Sequence, residues 1–122
     1  MCLMAWKWQP GSATPLVLIA NRDEFYARPT LPLHWWAKTE NTENGAQILA
    51  GKDLQQGGTW LGVSRSGRLA ALTNYRAPDM QREDAPSRGT LVADFLLSDG
   101  SAADYLQQLL PHTHDYLSLI HI

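Results

Sequence analysis

Apolar positions follow two rhythms along this chain, and the rhythm changes once. Through residue 74 they come in short runs parted by Gly, Pro and Asn, the spacing of strands and tight turns. Residues 2–8 predict a strand, Gln9-Pro10-Gly11-Ser12 a turn, and residues 16–20 its return strand. The unbroken apolar character of residues 16–20 predicts burial on both faces. Asn21-Arg22-Asp23-Glu24 then leaves the strand in one polar step, and Pro29 and Pro32 predict an extended, irregular path. Residues 38–46 read as an exposed loop and residues 48–50 as a short strand. Gly57-Gly58 opens the clearest hairpin, with strands over 59–64 and 68–74 and Gly67 taking positive φ in the turn. Residues 76–86, with Pro78 and Pro86, form a polar loop.

From Ser87 the period becomes helical. Leu91, Val92, Phe95 and Leu96 share one face, and Ser98-Asp99-Gly100 ends that helix. Ser101 and Asp104 resemble a capping box with Asp in place of Glu. Tyr105, Leu106, Leu109 and Leu110 give the second helix a stripe expected to be buried, and Pro111 closes it. Strands first and helices later define an α+β fold, with helices covering one sheet face.

Composition narrows the class. A chain of 122 residues, 44% hydrophobic and 18% charged, suits one packed domain rather than a disordered segment. A net charge of −2 and no polybasic run argue against nucleic acid as a partner. Of the five Trp (6, 8, 35, 36 and 60), several are expected to line a core or a pocket wall. A single cysteine cannot staple the fold and indicates a reducing compartment. Lys7, Gln9 and Pro10 interrupt any signal-like apolar run. Residues 16–20 are too short to span a bilayer. The expectation is a cytoplasmic protein without stable membrane insertion; nothing in the pattern fixes an oligomeric state.

That one cysteine is Cys2. The start methionine is normally removed before a small side chain, which would leave a thiol (ordinary pKa about 8.5) and an α-amine (about 7.7–8.0) on one residue. A nucleophile would then sit beside its own general base. The competing reading is that position 2 tolerates many residues and the thiol is incidental.

Several strings occur in order: Met1-Cys2-Leu3, Ala20-Asn21-Arg22-Asp23-Glu24-Phe25, Ala50-Gly51-Lys52-Asp53, Gly57-Gly58-Thr59-Trp60-Leu61-Gly62-Val63, Ala71-Leu72-Thr73-Asn74-Tyr75-Arg76 and Ser87-Arg88-Gly89. Together, from Cys2 to about Leu110, they resemble the NRDE family, whose eukaryotic members are called transport and Golgi organisation protein 2. The resemblance implies an Ntn-hydrolase-like fold, two β-sheets stacked between helical layers, with a cysteine in the nucleophile position. Eukaryotic members have been linked to haem mobilisation and to lipid or acyl-CoA homeostasis. Family members run to about twice this length. The expected organisation is therefore the amino-terminal half of such a domain over residues 1–116, its unpartnered sheet edges exposed. Leu117-Ser118-Leu119-Ile120-His121-Ile122 reads as a non-native tail, the translation of an adapter fused to a truncated frame.

Candidate catalytic residues are Cys2, Arg22, Asp23 and Asn74. Hairpin register sets residues 20–22 opposite residues 2–4, so Arg22 is the candidate cation beside the thiol; a slip of one residue would undo this. Related cysteine Ntn hydrolases, the penicillin and bile-salt acylases, also hold an arginine and an aspartate on this second strand. Asp23 is chosen to orient the α-amine, with neighbouring Glu24 on the opposite face. The alternative for both is an ion pair with Arg22 or Arg28 that locks the loop. Asn74 either donates to an oxyanion or satisfies a turn.

Candidate substrate-binding residues are Gly58, Trp60 and Arg76. Gly58 would let a ligand approach the backbone under the Trp60 indole; the alternative is a tight turn and a core tryptophan. Trp35-Trp36 beside His34 invites a haem reading or a structural one. His112 and His114 give no metal site at their spacing. Arg88-Gly89 at a helix start either receives an anion or is an ordinary helix terminus. Two functions remain. One is a cysteine Ntn-type hydrolase of a linear amide or acyl compound that needs no cofactor. The other is a non-catalytic protein on the same scaffold that binds or carries haem or an acyl lipid.

Overall fold

A computed structural model describes residues 2–37, 47–73 and 85–116. β1 (Leu3–Trp8) and β2 (Leu16–Asn21) form an antiparallel hairpin. Gly11 turns it at φ 87°, and the Gln9 amide donates to the Pro15 carbonyl over 2.8 Å. Leu3 lies opposite Asn21 and Met4 opposite Ala20. This is the expected register, and it carries Cys2 to the level of Arg22.

A second antiparallel sheet has the order β3-β4-β5-β6, built from β3 (Thr30–Trp35), β4 (Ile48–Asp53), β5 (Leu61–Ser64) and β6 (Leu69–Ala71). Two helices follow, α1 (Arg88–Leu97) and α2 (Ala102–Leu109), and then a 3₁₀ turn over Leu110–Asp115. The fold is α+β.

The core lies between β4 and α1. Ile48 and Ala50 meet Val92, Ala93 and Leu96, with Trp36, Ala70, Leu72 and Phe95 packed around them. Ser87 caps α1 by accepting from the Gly89 amide, and Ser101 and Asp104 form the capping box of α2. Tyr105 anchors α2 to α1: its hydroxyl donates to the Leu91 carbonyl over 2.9 Å, and its ring meets Phe95 edge-on.

Four expectations need correction. β2 is not buried on both faces: Val17 is 47% and Ile19 68% exposed, because among the described residues only β1 pairs with it and no layer covers it. Residues 30–35 are a strand despite Pro32. β3 is an edge strand, where a missing N–H costs no ladder bond, and its register with β4 shifts between Leu31 and His34. The 57–74 hairpin is shorter than expected, with Thr59 and Trp60 outside the strand. The α2 stripe is not buried, with Leu106 59% and Leu110 55% exposed. Of the tryptophans, Trp36 packs against the core and Trp60 walls a pocket, while Trp6, Trp8 and Trp35 are exposed. The loop over 38–46 and the tail over 117–122 lie outside the described residues.

Candidate functional site

Five backbone segments converge on a cleft of about 230 Å³, one of them contributing only Leu72 after β6. β1 delivers Cys2 and the segment after β2 delivers Arg22, Glu24 and Arg28. The turn after β4 supplies Asp53, Gln56, Gly58, Thr59 and Trp60, and the start of α1 supplies Ser87, Arg88 and Gly89.

Backbone bonds explain the convergence. The Leu54 amide donates to the Pro29 carbonyl over 3.0 Å, which brings Arg28 to Asp53. The Thr59 amide donates to the Gly89 carbonyl over 3.1 Å, which ties the β4–β5 turn to α1. Gly58 makes that contact sterically possible. A methyl group there would lie 2.6 Å from the Gly89 carbonyl oxygen and 2.8 Å from its Cα, both backbone atoms that cannot swing aside. Gly58→Ala is therefore expected to cost about 1–3 kcal/mol in urea unfolding, by overpacking against a fixed backbone. An unchanged midpoint would refute this packing role. Gly51 plays a similar part for Trp60, whose ring edge would come within 2.7 Å of a methyl group there.

Asp53 organises the charges. It is 7% exposed and accepts from Arg28 Nε over 2.9 Å and from the Gln55 amide over 2.9 Å. A second Arg28 nitrogen reaches Asp53 at 2.6 Å, and Arg22 approaches it at 3.5 Å. Glu24 meets Arg28 at 3.4 Å and Arg22 at 3.7 Å. The Arg22 guanidinium also lies 4.1 Å above the Trp60 ring centre, where a cation is attracted to the π face.

Burial pushes the Asp53 carboxyl up. The Arg28 hydrogen bond, the Gln55 and Gln56 amides and the Arg28 charge outweigh that, and the group ends below its ordinary value. The same hydrogen bond raises Arg28. A carboxylate whose folded value is depressed adds stability above its unfolded value, about 3.9, and loses it as pH falls through the folded value. Stability is thus expected to drop below about pH 4, and Asp53→Asn should remove that part of the drop. Asp94, pushed up by burial alone, works in the opposite direction, so the wild-type-minus-variant difference is the readout. Identical pH profiles for the two proteins would refute the role given to Asp53.

Cys2 is half-buried and unbridged. The Asp23 amide donates to its sulfur over 3.4 Å. The structure thus sets Cys2, Arg22, Gly58 and Trp60 around one cleft. Asp23 touches the sulfur through its backbone, and its side chain is not among those lining the cleft. Glu24, expected on the face away from the site, lines the cleft and is the acid that pairs with Arg22 and Arg28. Asn74 and Arg76 lie outside the described residues.

Of the residues with a second reading, Trp60 walls both this cleft and an apolar groove. His34 Nδ1 is 2.7 Å from the Pro32 carbonyl, and Trp36 donates to the Ala50 carbonyl. His112 and His114 both face Asp115. Among the described residues no cluster of three metal-binding side chains occurs. No helix among them is long and apolar enough to cross a membrane.

Sequence reasoning missed Asp53 and gave no place in the site to Arg28, beyond its role as an ion-pair partner. Asp53 closes one of the strings that carry the family resemblance, and that was the available signal.

The molecule is an α+β domain whose first strand brings a free thiol into a cleft lined, among the described residues, by three arginines and two carboxylates. It belongs to the Transport and Golgi organisation 2 family, whose model matches residues 1–119. It is 42% identical over 120 residues to a Transport and Golgi organization protein 2 homolog from Bos taurus, across 95% of this chain and 42% of the relative. The Homo sapiens homolog is 41% identical over 123 residues, again 95% of this chain and 42% of the relative. Transport and Golgi organization protein 2 of Drosophila melanogaster is 35% identical over 114 residues, 88% and 38% respectively. The chain spans about two fifths of the length of these curated relatives.

Proposed function

We propose that this chain carries the nucleophile of a cysteine Ntn-type hydrolase acting on a small linear amide or acyl compound. The observation that supports it is the position of Cys2, half-buried in a polar cleft beside arginines, with the Asp23 amide on its sulfur.

Once Met1 is gone, the free α-amine accepts the thiol proton as sulfur attacks the acyl carbonyl. The tetrahedral intermediate expels its amine or thiol, which leaves with that proton. Water, deprotonated by the same amine, then cleaves the thioester and restores the thiol. Asp23 orients the amine and Arg22 adds positive charge beside the sulfur. Asn74 donates to the oxyanion, and Gly58, Trp60 and Arg76 seat the substrate. The cleft is smaller than the roughly 300 Å³ at which ligand pockets usually begin, which suits a compact acyl group. A cytoplasmic location goes with a free thiol.

One observation favours the second reading, an acyl-lipid carrier. A groove of about 530 Å³, lined by Leu16, Leu18, Leu31, Leu33 and Val63 among others, adjoins the cleft across Trp60. A thiol-reactive acyl probe tests the first reading: it should label Cys2 selectively, and no labelling would refute the hydrolase. Haem titration followed by absorbance tests a haem carrier, and a flat spectrum at micromolar haem would remove it.

A further inference from the structure

The charges of the Cys2 cleft do not cancel. Three guanidiniums and two carboxylates line it among the described residues. Arg28 is held by Asp53 and Glu24. Arg22 is held by the same two acids and by the face of Trp60. Both carboxylates are therefore engaged with other arginines.

Arg88 is left over. It is the first residue of α1 and is half-buried. Among the described residues its guanidinium has no hydrogen-bond or ion-pair partner. The ionisable groups that act on it are Cys2, Glu24 and Arg28, and burial lowers it from its ordinary value. A cation partly withdrawn from water without a partner carries an unpaid desolvation cost. It also presents up to five N–H donors on a rigid planar fork.

We infer that Arg88 is an anion subsite of the Cys2 cleft and that the acyl substrate carries a carboxylate which this guanidinium holds. This rests on the reading of the cleft as the substrate site. The charge count selects the ligand class. Among the described residues the arginines lining the cleft outnumber the carboxylates by one, which favours an anionic ligand group over a neutral one. A carboxylate also matches the guanidinium fork in two parallel hydrogen bonds. The small volume favours a short acid over an extended one.

Two alkylating reagents of nearly the same shape test this on the full chain. Iodoacetate carries a carboxylate and iodoacetamide a neutral amide. With either, the Cys2 thiolate forms an S–C bond and iodide leaves. Cys2 is the only cysteine, so every adduct reports on it. Arg88→Gln should slow iodoacetate by at least about tenfold relative to wild type, and iodoacetamide by no more than about twofold. A far-UV circular dichroism spectrum and thermal midpoint matching wild type show that the variant is folded. Arg88→Lys, which keeps charge but loses the fork, should fall between. On the unaltered chain, acetate should protect Cys2 from iodoacetamide and acetamide should not.

Equal slowing of both reagents would overturn the inference, because Arg88 would then act on the sulfur and not on the ligand. So would an unchanged iodoacetate rate, or a failure of acetate to protect. Failure of iodoacetamide to modify Cys2 in the wild-type chain is a different result, and it would remove the hydrolase reading itself.

Discussion

Cys2→Ala is expected to abolish labelling by acyl probes and to lower acyl hydrolysis by at least about 10³-fold, the usual consequence of deleting a covalent nucleophile. The fold should hardly notice. The Cys2 side chain accepts one long hydrogen bond from the Asp23 amide and belongs to no buried cluster. Its loss should change stability by less than about 1 kcal/mol. The combination is the informative part: activity gone, thermal midpoint kept. Hydrolysis that survives in Cys2→Ala would assign the chemistry elsewhere in the protein.

Asp53→Ala should do the reverse and act mainly on stability. It would strip Arg28 of its two closest contacts, at 2.6 and 2.9 Å, and Arg22 of one. It would also leave the Gln55 and Gln56 amides of the β4–β5 turn without their acceptor. Three guanidiniums would then face Glu24 alone. Removing one partner of a buried charge cluster typically costs about 3–5 kcal/mol. For a chain of this size that is a fall in Tm of at least about 12 °C. Differential scanning calorimetry reads it directly. A midpoint within about 2 °C of wild type would mean that the arginines find other partners and that Asp53 does not organise the cleft. Asp53→Asn should fall between, since the amide oxygen can still accept from the turn.

The parts of this molecule that follow local rules were legible in the sequence. Pro10-Gly11 and the apolar runs on either side specify the β1–β2 hairpin, and its register places Cys2 level with Arg22. Ser101 and Asp104 announce the α2 start three residues apart. The helical face of α1 is visible in Leu91, Val92 and Leu96. What the sequence hid was decided at long range. Nothing near Asp53 says that its partners lie 25 and 31 positions earlier, at Arg28 and Arg22. Arg88 looks like any basic residue at a helix start until the other arginines are seen to be paired. Pro32 suggested irregular chain because proline excludes itself from central strands, and β3 is an edge strand. The apolar run of β2 suggested a strand covered on both sides, yet among the described residues only β1 pairs with it and Val17 and Ile19 stay exposed. Periodicity reports what a segment can bury, while the surrounding layers decide whether it does.

The mechanism requires a free α-amine on Cys2, because that amine is the base that takes the thiol proton. Intact-protein mass spectrometry of the amino terminus, on protein purified from cells, measures that state without any choice of substrate. A chain beginning at Cys2 is the predicted result. A chain that keeps Met1 would bury the proposed base in a peptide bond and contradict the hydrolase reading outright.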